Sequence, residues 1–273
     1  MGNFTKKGFT SKELEANKKL WNEKTAVHLQ SDFYAVDAFK AGATSLKEIE
    51  LREIGEVRGK SLLHLQCHFG QDTLSWARLG AEVTGVDLSD AAIDAAKSLS
   101  SELDIPANFV CSNVYDTRKH TQEKFDIVFT SYGTIGWLPD LDRWAEVIAQ
   151  SLKNDGFFYI ADFHPVIWMH DEKMEKISYS YFNDETIKEI TEGSYTDRDA
   201  PIKNPSYSWN HPISEILNAL IKQGLVIELF NEHPYSPWPC FDELEEVGPD
   251  RFVFKHLGHK IPYVYSIKAR KSL

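Results

Sequence analysis

The stretch Leu63-His64-Leu65-Gln66-Cys67-His68-Phe69-Gly70-Gln71-Asp72 decides how the chain folds. Residues up to Leu65 read as the end of a buried strand, and Asp72 to Leu79 as the helix that follows it. A strand passing through a tight loop into a helix is the opening unit of many ligand-binding α/β sheets. Such a loop normally carries several glycines, because its backbone must turn left-handed or lie close to the ligand. Here Gln66, Cys67, His68 and Phe69 fill the loop, and glycine stands only at position 70.

Outward from this loop the chain alternates. Ser61–Leu65 is a strand, and Gly80 stops the helix after it. Glu82–Val86 is a second strand, ending in Asp87. Ser89 caps a helix bearing Ala92, Ala95, Ala96 and Leu99. Ala107–Cys111 and Phe125–Thr130 are the third and fourth strands. Asp140 starts a helix with Leu141, Trp144, Val147 and Ile148 on one face, and Lys153–Gly156 turns the chain into a fifth strand, Phe157–Asp162. Five alternations with short connections imply a mostly parallel sheet with helices on both faces.

Residues 164–210 break this pattern with Tyr, Trp, His and acidic groups, leaving strand pieces at Ile177–Phe182 and Ile187–Thr191. A helix resumes at Pro212, carrying Ile213, Ile216, Leu217 and Leu220 as far as Gly224. Leu225–Phe230 and Tyr263–Arg270 then read as an antiparallel strand pair around a Pro- and aromatic-rich loop, 233–262. Ahead of the sheet, a Thr10-x-x-Glu13 capping box opens one helix, with Leu14, Leu20 and Trp21 as apolar positions, and Leu46–Ile54 forms another. The expected organisation is a helical cap over 1–54, then one domain over 55–273 with lid insertions at about 164–210 and 233–262.

The 273 residues carry a net charge of −11 spread along the chain, which disfavours a nucleic-acid partner. Cys67, Cys111 and Cys240 form no CxxC pair, so neither a disulfide framework nor a metal site is expected. No apolar run is long enough to span a bilayer, and Met1–Lys7 precedes no apolar core of signal-peptide length. A cytoplasmic protein without membrane contact, monomeric or homodimeric, is the expectation.

In an open α/β sheet, ligands bind outside the carboxyl ends of the strands. Those ends supply Gln66 to Gln71, then Asp87, whose carboxylate can accept both hydroxyls of a ribose. They also supply Asn113 with Val114, suited to framing an adenine, and Ser131-Tyr132-Gly133.

This set resembles the class I S-adenosylmethionine-dependent methyltransferases over roughly residues 55–163. In that family the first loop reads acidic-x-Gly-x-Gly-x-Gly. Here His64 takes the acidic position, Gln66 and His68 replace two glycines, and Gly70 keeps the third. Gly80–Ser89 (GAEVTGVDLS) matches the second motif, with Asp87 on the ribose-binding position and Leu88 beside it. Asn113 falls where an adenine-binding Asp is frequent. Lys124–Asp140 and Leu152–His164 resemble the fourth and fifth motifs, and residues 212–270 resemble the family's reversed terminal hairpin.

The resemblance implies a Rossmann-like, seven-stranded sheet. It also implies S-adenosyl-L-methionine as cofactor, held by Gln66, Cys67, His68, Gly70, Asp87, Leu88, Asn113, Val114, Ser131 and Tyr132, and methyl transfer to a small-molecule acceptor. Gln66 is expected to keep the turn at negative φ, and His68 to reach the methionyl carboxylate. Tyr34, Trp137, Trp168, Trp209, His211 and Tyr235 are the expected acceptor-site residues, and His164, directly after strand five, the expected general base. Cys67 reads as a buried small residue and not a nucleophile. Alternatives are a non-catalytic S-adenosylmethionine-binding or regulatory module, or a protein or nucleic-acid methyltransferase, although no Asn-Pro-Pro-Tyr-type motif follows strand four. A nicotinamide-dependent oxidoreductase would need the GxGxxG that is missing.

Overall fold

The computed structural model describes residues 11–171 and 173–272. Thr10 and Met1–Lys7 lie outside the described residues. Helices α1 (Ser11–His28), α2 (Val36–Lys40) and α3 (Glu48–Ile54) precede the sheet. Then follow β1 (Ser61–Leu65), α4 (Gln71–Arg78), β2 (Glu82–Asp87), α5 (Asp90–Glu102), β3 (Asn108–Cys111), α6 (Thr117–His120), β4 (Phe125–Ser131), α7 (Leu141–Ser151), β5 (Leu152–Phe163) and α8 (Pro165–Trp168). The chain continues through β6 (Ile187–Glu192), β7 (Lys203–Ser208), α9 (Ile213–Lys222), β8 (Leu225–His233), β9 (Leu244–Gly248), β10 (Arg251–Phe254) and β11 (Val264–Lys271).

Seven strands form the central sheet in the order β3-β2-β1-β4-β5-β11-β8. The first five are parallel, and β11 runs antiparallel to both β5 and β8. Period-two alternation sends successive side chains to opposite faces. Leu63, Leu65, Val128, Phe158 and Ile160 pack under α7 and α9 with Trp144, Ile148, Ile216 and Leu220. Leu62, Ile127, Phe129, Tyr159 and Ala161 face the other way, against α3, Trp76 of α4, Phe254 and Tyr263. The order reverses beside β1, so the carboxyl ends of β1, β2 and β4 open onto one crevice, where a ligand belongs.

Several boundaries differ from expectation. Ile177–Phe182 is not a strand; only Ile177 bridges, to His170. β5 begins at Leu152, and the expected turn is absorbed into it with Asp155 left-handed at φ 62°. The 233–262 loop contains the hairpin β9–β10, and the 164–210 insertion contains β6–β7. Strand β7 was absent from the sequence reading because Lys203-Asn204-Pro205-Ser206 is polar and contains proline, a residue sheets confine to edges. Helix α1 docks on this hairpin through buried Asn17. Its Nδ2 donates to the Tyr207 carbonyl (2.8 Å) and its Oδ1 accepts the Tyr207 N–H (2.9 Å).

Candidate active site

The loop after β1 keeps a glycine-rich shape without the glycines. Gln66, His68 and Gly70 all have positive φ, at 57°, 51° and 80°. The expectation of a negative φ at Gln66 is therefore corrected: the turn is left-handed there. A left-handed residue with a Cβ costs about 1–2 kcal/mol, so each of the two needs compensating contacts. Gln66 Nε2 donates to the Thr134 carbonyl (2.8 Å), tying this loop to the one after β4. His68 donates its backbone N–H to Asp87 Oδ2 (2.8 Å). Gly70 is required by packing, since a Cβ there would come within 2.7 Å of the Phe109 ring.

Asp87, half-buried at the end of β2, also accepts the Ser89 N–H on Oδ1 (2.8 Å). Burial pushes its pKa up, opposed by these N–H groups. Two accepted bonds leave about half of a carboxylate's acceptor capacity for a ligand. Gln66 Oε1 is buried without a partner among the described residues, an acceptor awaiting a donor. Cys67 is buried, and burial holds its thiol well above its ordinary pKa. Asn113 uses Oδ1 to cap the turn at Tyr115 N (3.1 Å), and Val114 is buried beside Leu65 and Val86. Half-buried Leu88 follows Asp87.

The loop after β4 is shaped from below by Asp162, which accepts the N–H groups of Gly133, Thr134 (3.0 Å), Ile135 (3.2 Å) and Phe163 and the Thr134 hydroxyl (2.9 Å). Ser131 Oγ donates to Asp72 Oδ2 (3.0 Å) and the Tyr132 hydroxyl to Glu50 Oε2 (2.8 Å). Both side chains therefore serve a buried acidic floor. Glu50, fully buried, has its pKa pushed up to about 8 by desolvation.

Above the β1 loop, α1 closes the crevice. His28 Nδ1 lies 2.8 Å from His68 Nε2, and His28 Nε2 lies 2.8 Å from Ser194 Oγ. Burial lowers the two pKa values to about 2 and about 3, so both rings are neutral. The Tyr34 hydroxyl lies 2.6 Å from that of Tyr195, and the Tyr34 ring packs on His28 and Phe69. Trp137 meets Trp21 edge-on at 5.3 Å, and Trp21 meets His68 at 5.4 Å. Among these rings stands Lys24, 6% exposed, its Nζ 5.2 Å from the Trp21 ring centroid, 5.7 Å from Tyr195 and 6.0 Å from Trp137. No hydrogen bond or ion pair reaches its ammonium among the described residues. Burial lowers its pKa to about 8. Cation–π contacts contribute about 0.5–2 kcal/mol each, against several kcal/mol for desolvating an ammonium. Three such contacts are of the same order as that cost, yet they leave the ammonium without an acceptor.

Of the expected acceptor-site residues, Tyr34 and Trp137 stand among the rings packed around Lys24, His28 and Tyr195, and the remaining four have partners elsewhere. Trp168 is 39% exposed and packs on Phe163 and Phe241. Trp209 Nε1 donates to Thr186 Oγ1 (3.1 Å). His211 bridges the Leu138 carbonyl (2.7 Å) and Glu215 (3.0 Å) at the start of α9. Tyr235 lies under the Arg251 guanidinium. His164, the expected general base, has a partner at each ring nitrogen. It caps α8, its Nδ1 accepting the Val166 N–H (3.2 Å), and Nε2 faces Glu232 (3.1 Å), so no lone pair is left for a substrate proton. His68 reaches His28 as a neutral ring and offers no cation to a carboxylate.

Lys24, His28 and Tyr195 were missed. The signal was present: Asn17, Lys24, Thr25 and His28 share the inward face of α1 with Leu20, a polar stripe where a packing helix normally turns apolar residues inward.

Among the described residues, no helix is long and apolar enough to cross a membrane, and no cluster of His, Cys, Asp or Glu is placed to hold a metal. Residues 63–160 match the family model described as "Methyltransferase domain". The ubiquinone biosynthesis O-methyltransferase of Proteus mirabilis (strain HI4320) is 26% identical over 158 residues, covering 51% of this chain and 64% of that protein. The chain thus spans less than two thirds of the length of the curated relatives it matches. Among solved structures, a SAM-dependent methyltransferase of Methanosarcina mazei aligns with TM-score 0.57 and 15% identity, over 84% of this chain and 99% of that one. Geranyl diphosphate C-methyltransferase of Streptomyces coelicolor A3(2), solved with S-adenosyl-L-homocysteine, aligns with TM-score 0.55 and 16% identity, over 82% and 74%. At these identities the structural likeness speaks for the fold.

Proposed function

We propose, from the premise that the chain belongs through residues 63–160 to the class I S-adenosylmethionine-dependent methyltransferases, that it methylates a small molecule with S-adenosyl-L-methionine. The observation that carries this reading is the β1 loop. It holds three consecutive alternate residues left-handed at the cost of strain, directly over an Asp87 carboxylate with acceptor capacity to spare.

The residues fit the cofactor. Asp87 would hold the ribose hydroxyls, the orphan Gln66 Oε1 the methionyl ammonium, and Leu88, Asn113 and Val114 the adenine. When bound, the cofactor would supply a sulfonium methyl group for transfer to a nucleophilic acceptor. The chain's own contribution is positioning and exclusion of water. Tyr34, Trp137 and Tyr195 wall the acceptor space, and Tyr132, fixed by Glu50, sets the floor. A chamber closed by rings, on a chain of net charge −11, suits a small molecule better than a nucleic acid.

The test is a thermal-shift titration with S-adenosylmethionine, S-adenosylhomocysteine and NAD in parallel. At about 100 times the dissociation constant, a ligand stabilises by roughly 2.7 kcal/mol, a rise on the order of 5–10 °C. A rise with the two sulfur ligands and none with NAD is expected. No rise with either sulfur ligand would overturn the reading.

A further inference from the structure

We propose that the methyl acceptor bears a carboxylate, and that this carboxylate pairs with the ammonium of Lys24. The inference rests on the methyltransferase reading above and names its substrate class.

Lys24 is nine-tenths buried, yet its ammonium has three donors and no acceptor among the described residues. Among the described residues no carboxylate faces it, and the charged group nearest in effect is Arg198, of the same sign. Its two histidine neighbours are neutral. An unpaired buried cation is costly, and a ligand carboxylate at hydrogen-bond distance would offset that cost. The walls around it belong to the acceptor side, with Trp137 from the loop after β4 and Tyr195 from the insertion. S-adenosylmethionine is itself a net cation, because sulfonium and ammonium outweigh its one carboxylate. Binding it adds positive charge beside Lys24, and an anionic acceptor restores the balance. The methionyl carboxylate is the rival partner, and a ligand that lacks it separates the two. The rings make the acceptor planar or aromatic as well as anionic.

The experiment compares the wild type with Lys24→Met and Lys24→Arg. S-adenosylhomocysteine and 5′-methylthioadenosine, which lacks the methionyl carboxylate, are titrated first. Benzoate and its neutral analogue benzamide follow, on the complex saturated with S-adenosylhomocysteine. Lys24→Met is expected to melt no lower than the wild type without ligand, since a buried charge is removed, and to bind S-adenosylhomocysteine within twofold. Benzoate should raise the melting temperature of the wild-type and Lys24→Arg complexes, and benzamide should not. Lys24→Met should lose at least tenfold in benzoate affinity. Equal responses to benzoate and benzamide, or a benzoate response unchanged in Lys24→Met, would overturn the proposal. So would a tenfold loss of S-adenosylhomocysteine affinity in Lys24→Met with 5′-methylthioadenosine unaffected, which assigns the ammonium to the cofactor. A wild type that binds no S-adenosylhomocysteine overturns the methyltransferase reading, a separate failure that takes this inference with it.

Discussion

The loops after β1 and β4 are each held by an aspartate, and the two aspartates are used differently. Asp162 is 2% exposed and accepts from five donors, four backbone N–H groups and a hydroxyl. Asp87 is half-buried and accepts the N–H groups of His68 and Ser89. A carboxylate offers about four lone-pair sites, so the first is saturated by the fold and the second is not. Counting donors separates a carboxylate used up by its own fold from one with acceptor capacity left, though both stand at strand ends beside the same crevice.

Asp162→Ala should cost the most. It strands several buried N–H groups at about 1–3 kcal/mol each, for a net loss of about 3–5 kcal/mol, read from urea unfolding. A loss under 1 kcal/mol would erase the contrast. Asp87→Ala should cost only about 1–2 kcal/mol of stability but weaken S-adenosylhomocysteine binding at least tenfold by calorimetry. Unchanged affinity would remove Asp87 from the site.

Glu50 extends the series, being buried with the Lys47 N–H and the Tyr132 hydroxyl as its partners. Its folded pKa of about 8 lies above the unfolded value of 4.5. The folded state therefore holds a proton that the unfolded state releases between those values. Its contribution is full below about pH 4.5 and fades as pH rises through 8. The wild type should lose more melting temperature between pH 6 and pH 9 than Glu50→Gln does, and equal losses would contradict the assignment. The smallest effect belongs to Gln66→Gly. Relief of left-handed strain, about 1–2 kcal/mol, roughly offsets loss of the Thr134 hydrogen bond, about 1 kcal/mol. Stability should move by less than about 1 kcal/mol, and a larger loss would mean that the side chain, not the backbone, shapes the loop.

The central sheet was legible because its strands are short, nearly continuous apolar runs bounded by glycine and aspartate. Asp87 was legible because it ends such a run. What escaped depends on partners far away in sequence. His164 reads as a base until α8 and Glu232 occupy its nitrogens. His211 is held by Leu138 and Glu215 in the same way. The polar residues of α1 look like a solvated face until the insertion covers them. Gln66 and His68 look like losses of turning ability, yet the backbone adopts the turn regardless and spends the side chains on cross-links.

Asn17 makes helix α1 and strand β7 a single mechanical body. Its amide offers one donor and one acceptor to Tyr207, as a neighbouring strand residue would, from a helix far away in sequence. Local opening of one segment is therefore expected to carry the other with it, with one shared opening free energy. Amide protons along 11–28 and 187–208 should exchange with solvent in step, and Asn17→Ala should let the two segments exchange independently.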